Sequence, residues 1–363
     1  MRIAQLANFV GPTSGGMRRA VDRLGEGYQE AGHERLLIIP GPRTLARETE
    51  GGTVVQVRAP KLTGSYRIIL DLPAVFDVLK RFAPTSVEVS DKWTLTAAAR
   101  WARDHGAGSV LLSHERLDDM ASDFTRLPVR TPVHWRNGRL AKAFDTVVVT
   151  TGYSAGEWQG TQAALVTVPL GVDLATFTPP TAPLAPASTV RLVHIGRMSR
   201  EKYPQLSVAT ALELHGRGVP VELTMVGTGP HLSWLRELAG DGPVRFAGYT
   251  DSRAEVARAY GAADIAMAAC PTETFGLAVL ESLACGTPVV TADRGGAREL
   301  VDAGCAEWGR PDASSLADAV QRLATRLVTS QAQVRADARR RAELYPWSTS
   351  VERMLEVHRN VTV

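Results

Sequence analysis

The chain has 363 residues, 44% apolar and 22% charged. That is the mix of a soluble globular protein, at a length that suits two domains each burying its own core. No apolar run approaches the roughly 20 residues of a membrane span, the N-terminal "MRIAQLANFVG" has no signal-peptide pattern, and a net charge of +3 is too small to argue for nucleic acid. Three scattered cysteines, Cys270, Cys285 and Cys305, fit neither a disulfide framework nor a zinc site and point to a reducing cytosol.

In chain order, "RIAQLANF", "ERLLIIPG", "TVVQVRAP", "SVEVS", "SVLLSH" and "TVVVTT" read as strands separated by helix-length amphipathic segments. "TFTPPTAPLAPAST", Thr176 to Thr189, follows with four prolines. Proline removes donors and disfavours regular structure around it, so this stretch reads as a linker. The alternation then restarts at Val190 with "VRLVHIG", "VELTMVG", "VRFAG", "DIAMAA" and "TPVVTAD". Strand–helix alternation of this kind predicts an α/β protein of two doubly wound, Rossmann-like domains, each a parallel sheet covered by helices on both faces. The expected domains are residues 1–177 and 190–345, joined by a linker over 178–189, with the site in the cleft between the two sheets. Charge is uneven: 21 Lys/Arg face 18 Asp/Glu through Phe177, against 20 and 20 beyond it. The excess includes Arg18, Arg19 and Arg23, then Arg126, Arg130, Arg136, Arg139 and Lys142. It reads either as a solvated surface or as a surface for an anionic acceptor or lipid.

Six stretches carry candidate chemistry. After the first strand, "NFVGPTSGGMRRAVDRL" places Gly15 and Gly16 before a helix, like a phosphate-cradling turn but without the Walker lysine or the G-x-G-x-x-G spacing. A flexible loop is the alternative. "SVLLSHERLDDM" puts His114 just past a strand end, either as a structural histidine or as a group at the ligand edge. "RLVHIGRMSREKYPQL" puts Arg197 and Lys202 past the strand that ends at Gly196. An Arg fork and a Lys point charge suit a diphosphate, and two surface cations paired with Glu201 are the alternative. "TMVGTGPHL" offers Gly227 and Gly229 for close backbone approach of a nucleotide, or for a plain tight turn. "VRFAGYTD" adds Gly248 and Tyr249, where the backbone would line a base.

The most telling segment is "ACPTETFGLAVLESLACGTPVV", Ala269 to Val290, which sets Glu273 and Glu281 around a glycine in an apolar context. Gly276 to Ala284 reads as a helix, stopped by Gly286 and Pro288. Its start near Thr274, Phe275, Gly276 and Leu277 exposes unpaired N–H groups and the positive end of the dipole, an anion site. Carboxylates beside a phosphate site make sense if they accept hydrogen bonds from sugar hydroxyls, Glu281 from a ribose and Glu273 from a hexose. An acid complementing the dipole and a solvated glutamate are the alternative.

Together these segments resemble the retaining nucleotide-sugar glycosyltransferases of family 4, with the GT-B fold. The match is strong from Val190 to Val301, through "GRMSREK", "MVGTGP", "VRFAGY", "CPTETFGLAVLESLACGTPVV" and "RGGARELV", and looser in the first half. The resemblance implies that Glu273 lies near the donor sugar and Glu281 on the ribose hydroxyls. Phe275, Gly276 and Leu277 would offer backbone amides to sugar and phosphate, with Arg197 and Lys202 on the diphosphate. Gly15 and Gly16 would close over the phosphates, and His114 would face the reacting sugar. "YPWSTSVERMLEVHRN" looks like the helix that crosses back onto the first domain, about 346–363, with Trp347 as an anchor. "VPLGVD" has Leu170 where the family often has Asn, and Tyr203–Pro204 stand where it often has a glycine.

The expected function is transfer of a hexose from a nucleoside-diphosphate sugar, such as GDP-mannose or UDP-glucose, to an acceptor hydroxyl. Retention of anomeric configuration is implied only by the resemblance, and no protein nucleophile is evident. Front-face attack, with a leaving phosphate oxygen taking the acceptor proton, is therefore preferred. The chain contains no D-x-D triplet, so no metal and no cofactor are expected. Competing readings are a GT-B epimerase, a phosphorylase with a pyridoxal lysine, a non-catalytic nucleotide-sugar binding protein and a glycosidase. Two carboxylates eight residues apart on one element rarely flank a glycosidic bond. The acceptor is open, with the basic cluster suiting an anionic or lipid-linked molecule, no nucleic acid expected, and a cytoplasmic protein touching the membrane peripherally.

Overall fold

Near-continuous runs of Val, Ile and Leu bury both faces of a strand, which suits parallel sheets clad in helices. All eleven strands expected from such runs are present. The computed structural model describes residues 1–8, 15–63, 66–119, 130–182 and 188–362. It divides into two units, Met1–Leu170 with Trp347–Val363, and Gly171–Pro346.

In the first unit the strands are β1 Arg2–Leu6, β2 Glu34–Gly41, β3 Leu45–Thr49, β4 Gly52–Arg58, β5 Lys61–Thr63, β6 Tyr66–Arg67, β7 Ser86–Val89, β8 Gly108–Ser113, β9 Thr146–Val149 and β10 Leu165–Thr167. Eight of them form one sheet in the order β10-β9-β8-β7-β1-β2-β4-β3, parallel except for the β3–β4 pair. β5 and β6 make a separate hairpin. Val87, Val89, Leu111, Val147 and Val149 meet Leu79, Ala99 and Trp158 in the core. β3, "LARET", is exposed along its whole length, and its Arg47 and Glu48 discourage pairing with another chain at that edge.

A buried polar network fastens the last helix, Trp347–Val361, to this unit. Glu88 on β7 accepts from Gln5 at 2.9 Å and from Tyr28 at 2.8 Å, and lies 3.2 Å from His358 Nε2. His358 Nδ1 lies 2.8 Å from Ser86 Oγ, and Arg35 Nε donates to Gln5 at 2.8 Å. Glu88 and His358 are wholly buried. Burial opposes ionisation of Glu88, yet the hydrogen bond and charge of His358, with the bonds from Gln5 and Tyr28, hold the carboxyl below its usual range. Trp347 is also buried, at the first turn of the helix.

The second unit contains β11 Val190–Ile195, β12 Val221–Val226, β13 Val244–Gly248, β14 Ile265–Ala268, β15 Val289–Ala292 and β16 Ala306–Gly309. They form a fully parallel sheet in the order β13-β12-β11-β14-β15-β16. This is the Rossmann order, in which chain direction along the sheet reverses between β11 and β14. The unit begins at Gly171, ahead of the proline-rich stretch, because residues 171–177 are bound into it. Asp173 pairs with Arg253 at 3.3 Å, Phe177 is buried, and Arg339 donates to the Phe177 carbonyl at 2.8 Å. Of the expected linker, residues 183–187 lie outside the described ones.

Candidate functional site

In open α/β sheets ligands bind beyond the C-terminal strand ends, at the point where strand order reverses. In the second unit that point lies between β11 and β14, and it is where the sequence puts its strongest candidates. Arg197 is two residues past β11. Lys202 ends a 3₁₀ turn, Arg200–Lys202, in the same loop. Glu273, Thr274, Phe275 and Gly276 fill the loop between β14 and the helix Leu277–Ala284. Lys202 Nζ donates to Glu273 Oε2 at 2.7 Å across this crevice. Desolvation works against the lysine's charge, but Glu273, with Cys270 and Glu201, more than offsets it and holds Lys202 well above the ordinary lysine range. The same burial, reinforced by Glu273, pushes the Cys270 thiol up to about 11, so it is a neutral wall of the site. Cys270 Sγ donates to the Glu201 carbonyl at 3.3 Å, tying the two loops together.

The helix Leu277–Ala284 opens on Gly276, which takes φ 106° with no side-chain cap. Its leading N–H groups are therefore available to a ligand. Phe275 is buried beneath this turn, and Glu281 is 6% exposed on the helix. A second loop, after β15, presses on the first. Gly296 N donates to the Glu273 carbonyl at 2.6 Å, and a Cβ at Gly296 would lie 2.2 Å from the Thr274 carbonyl oxygen. Gly295 and Gly296 thus fix the backbone of Glu273 and Thr274. In the sequence "RGGARELV" stands only as part of a resemblance, and two adjacent glycines past a strand end are the signal for this role.

Gly227 and Gly229 sit past β12, and their small size has a requirement apart from any nucleotide. A Cβ on Gly227 would lie 2.0 Å from the Gly196 carbonyl oxygen, and one on Gly229 would lie 2.4 Å from that of Met198. Met198 N donates to the Thr228 carbonyl at 3.0 Å and His231 N to that of Met198 at 2.9 Å. The two glycines let this loop zip against the loop that carries Arg197 and Lys202. Gly248, at φ 83°, has open space where a Cβ would stand, and Tyr249 is 57% exposed beside it.

Tyr203, at the position where the resembled family often has a glycine, adopts a left-handed conformation, φ 49° and ψ 42°, immediately before Pro204 opens the next helix. Such a backbone costs a non-glycine residue about 1–2 kcal/mol, which is the physical reason for glycine there. Lys202 is nonetheless delivered to Glu273. Buried on β11 beneath this loop, His194 bonds Ser207 Oγ at 2.9 Å through Nδ1, and burial, with the charge of Lys202, holds its imidazole down to about 4.

In the first unit the reversal point falls between β1 and β7. Asn8, after β1, donates its N–H to Asp91, after β7, at 3.1 Å, and its side chain accepts from Ile69 N at 2.8 Å. Residues 9–14, including Gly11, lie outside the described ones. Gly15 caps the helix Gly16–Glu30, whose first turn holds no acid. His114 stands one residue past β8 at the same edge, and burial pushes its imidazole down to about 4. A neutral imidazole can bond a hydroxyl but cannot neutralise a phosphate. Lys92, which nothing in the sequence singles out, is 2% exposed, is paired with Glu157 and donates to the Glu115 carbonyl at 2.9 Å. This pair braces the β8 loop next to His114. Among the described residues, no cluster of three His, Cys, Asp or Glu side chains could hold a metal ion.

Residues 189–326 match the family described as glycosyl transferases group 1, and residues 15–171 match the glycosyl transferase 4-like domain. A GDP-mannose-dependent alpha-(1-6)-phosphatidylinositol dimannoside mannosyltransferase of Mycobacterium tuberculosis is 41% identical, over 98% of this chain and 95% of its own. A GDP-mannose-dependent alpha-mannosyltransferase of Corynebacterium glutamicum is 26% identical, over 84% of this chain and 75% of its own. Among solved structures, a sucrose-phosphate synthase of Thermosynechococcus elongatus aligns at a TM-score of 0.80, with 20% identity, over 99% of this chain and 98% of its own. A glycosyltransferase of Rickettsia africae aligns at 0.78, with 16% identity, over 99% and 98%.

Proposed function

The chain belongs to the family 4 glycosyltransferases of GT-B fold, enzymes that use nucleotide sugars, and from that premise we propose that it transfers a mannosyl residue from GDP-mannose to a hydroxyl of a phosphatidylinositol-type lipid, with retention and without a metal. The donor and acceptor classes rest on the 41% identity to the mycobacterial mannosyltransferase across nearly the whole of both chains. The observation that carries the chemistry is the meeting of Lys202 and Glu273 at the reversal point of the second sheet, at the open end of the helix Leu277–Ala284.

In this reading Lys202, Arg197 and the amides of Phe275–Leu277 bind the diphosphate, and Glu273 accepts hydrogen bonds from the mannose hydroxyls. An ammonium has three donors, so Lys202 can hold Glu273 and a phosphate oxygen together. Glu281 takes the ribose diol, Tyr249 and the Gly248 backbone line the base, and Gly227 and Gly229 shape the loop beneath. Gly15 and Gly16, at the N-terminus of the helix Gly16–Glu30, offer amides to a phosphate. The acceptor oxygen attacks the anomeric carbon on the face from which GDP departs. The bond from that carbon to the phosphate oxygen breaks with its electron pair going to GDP, and the same oxygen takes the acceptor proton. Charge grows on the diphosphate as the bond breaks, so preorganised cations and N–H dipoles lower this barrier most. Neutral His114 orients a sugar hydroxyl.

The test is transfer of labelled mannose from GDP-mannose to phosphatidylinositol and its mannosides, beside a thermal-shift panel of nucleoside diphosphates. GDP at a hundred times its dissociation constant should stabilise the protein by about 2.7 kcal/mol. Stabilisation by UDP in preference to GDP overturns the donor, and a trapped covalent mannosyl–protein adduct overturns the front-face route.

A further inference from the structure

The helix Arg130–Ala143 in the first unit buries Asn137, Leu140 and Ala141 and turns a stripe at helical spacing outward. Trp135, 64% exposed, sits in that stripe with the guanidinium of Arg139 4.9 Å from its ring centroid, and exposed Lys142 continues it. Beside it Arg136 lies 5.6 Å from the ring of Trp93, itself 43% exposed. The helix carries no acid: its sequence is RTPVHWRNGRLAKA. Trp135 and Trp93 each keep a large part of the ring in water beside a guanidinium, which costs free energy in a purely aqueous setting. Tryptophan favours the boundary between headgroups and acyl chains, arginine and lysine favour anionic headgroups, and a ring topped by a cation suits a place that is apolar below and charged above. No helix among the described residues is long and apolar enough to cross a membrane.

Building on the lipid-acceptor reading above, we propose that this face, Trp93, Trp135, Arg136, Arg139 and Lys142, docks the enzyme onto an anionic bilayer. The cations supply long-range attraction, and Trp135 inserts at headgroup depth. Docking holds the first unit at the surface in which an acyl-anchored acceptor resides, so the acceptor is met by diffusion in two dimensions. Of the five candidate membrane cations read from the sequence, Arg136, Arg139 and Lys142 are described here. Arg126 lies outside the described residues, as does the side chain of Arg130.

The test is co-sedimentation of the full chain with vesicles of phosphatidylcholine alone, or of equal phosphatidylcholine and phosphatidylglycerol, with no donor added and no mannosylated or inositol lipid present. Wild type should partition onto the mixed vesicles only, and less as salt is raised. Each cation near such a surface is worth about fivefold in partition, so Arg139→Ala with Lys142→Ala should lower it about thirtyfold. Trp135→Ala should weaken binding, and Trp135→Tyr should restore most of it. GDP-induced thermal stabilisation of the same variants, unchanged, shows that they are folded. Equal partition of wild type and the double variant overturns the proposal. So does self-association of wild type without vesicles that Trp135→Ala abolishes, since the face would then belong to a second copy. The vesicles carry no acceptor, so failure of mannosyl transfer with intact binding sinks the function assigned above and leaves this inference standing. Failure of binding with intact transfer does the reverse.

Discussion

Replacing Lys202 by alanine separates two roles that its position allows. Its ammonium lies 2.7 Å from Glu273, with the two side chains 42% and 21% exposed. Unit charges at that distance attract by about 6 kcal/mol at an effective dielectric near 20. Solvent exposure, and the entropy of holding two long side chains together, reduce the measured worth of such pairs to about 0–1 kcal/mol. The melting temperature of Lys202→Ala should therefore move by no more than about 2–4 °C. Catalysis should respond far more. A charge-assisted hydrogen bond to the departing diphosphate is worth about 1.5–3 kcal/mol, so kcat/KM should fall between roughly tenfold and 150-fold. Glu273→Ala should cost a comparable factor through the sugar hydroxyls.

The double variant decides between the roles. If each side chain holds its own part of the donor, the losses multiply; if they serve only each other, the double variant is no worse than either single one. The assay is GDP release from GDP-mannose with acceptor present, beside a thermal melt of each variant. Two single variants within threefold of wild type, or a melting point lowered by tens of degrees, would refute the reasoning. Basic pH should not reproduce the loss. The folded-state value of Lys202 is raised, so its charge is complete below the unfolded lysine value of about 10.4 and is lost only as pH climbs through the higher folded one.

Three further outcomes follow from the surrounding structure. Gly229→Ala drives a Cβ to 2.4 Å from the Met198 carbonyl oxygen, which should cost about 1–3 kcal/mol and weaken GDP binding in calorimetry by displacing the Lys202 loop; unchanged affinity rejects the zipped-loop account. His358→Ala removes one of three side-chain partners of the buried Glu88 carboxylate, leaving Gln5 and Tyr28, and should lower stability by about 1–3 kcal/mol, read as an earlier urea midpoint; an unmoved midpoint means the network holds nothing. His194, held down to about 4 against about 6.5 unfolded, contributes stability that is present above pH 6.5 and lost as pH falls toward 4. Wild type should lose about 2 kcal/mol between pH 7 and pH 5 from this group alone, and His194→Gln should remove that slope in paired urea titrations.

What the sequence disclosed and what it withheld divide along a physical line. Strands buried on both faces announce themselves as unbroken apolar runs, and the alternation with helices also tells which end of each strand meets the next loop. The sequence alone therefore puts Lys202 and Glu273 at one edge. β3, β10 and β16, "LARET", "LVT" and "AEWG", were not anticipated, because short strands at or near a sheet edge have no second buried face to enforce an apolar run. Buried polar pairing was equally hidden. Glu88 and His358 are 270 residues apart and each looks ordinary in its own element; only the fold shows that one answers the other. The glycines teach a subtler lesson. In the sequence Gly227 and Gly229 read either as room for a nucleotide or as a plain tight turn, and the backbone of residues 196–198 demands that room in any case. Their smallness therefore shapes the loop that aims Lys202, and a ligand need not touch them for both to be indispensable.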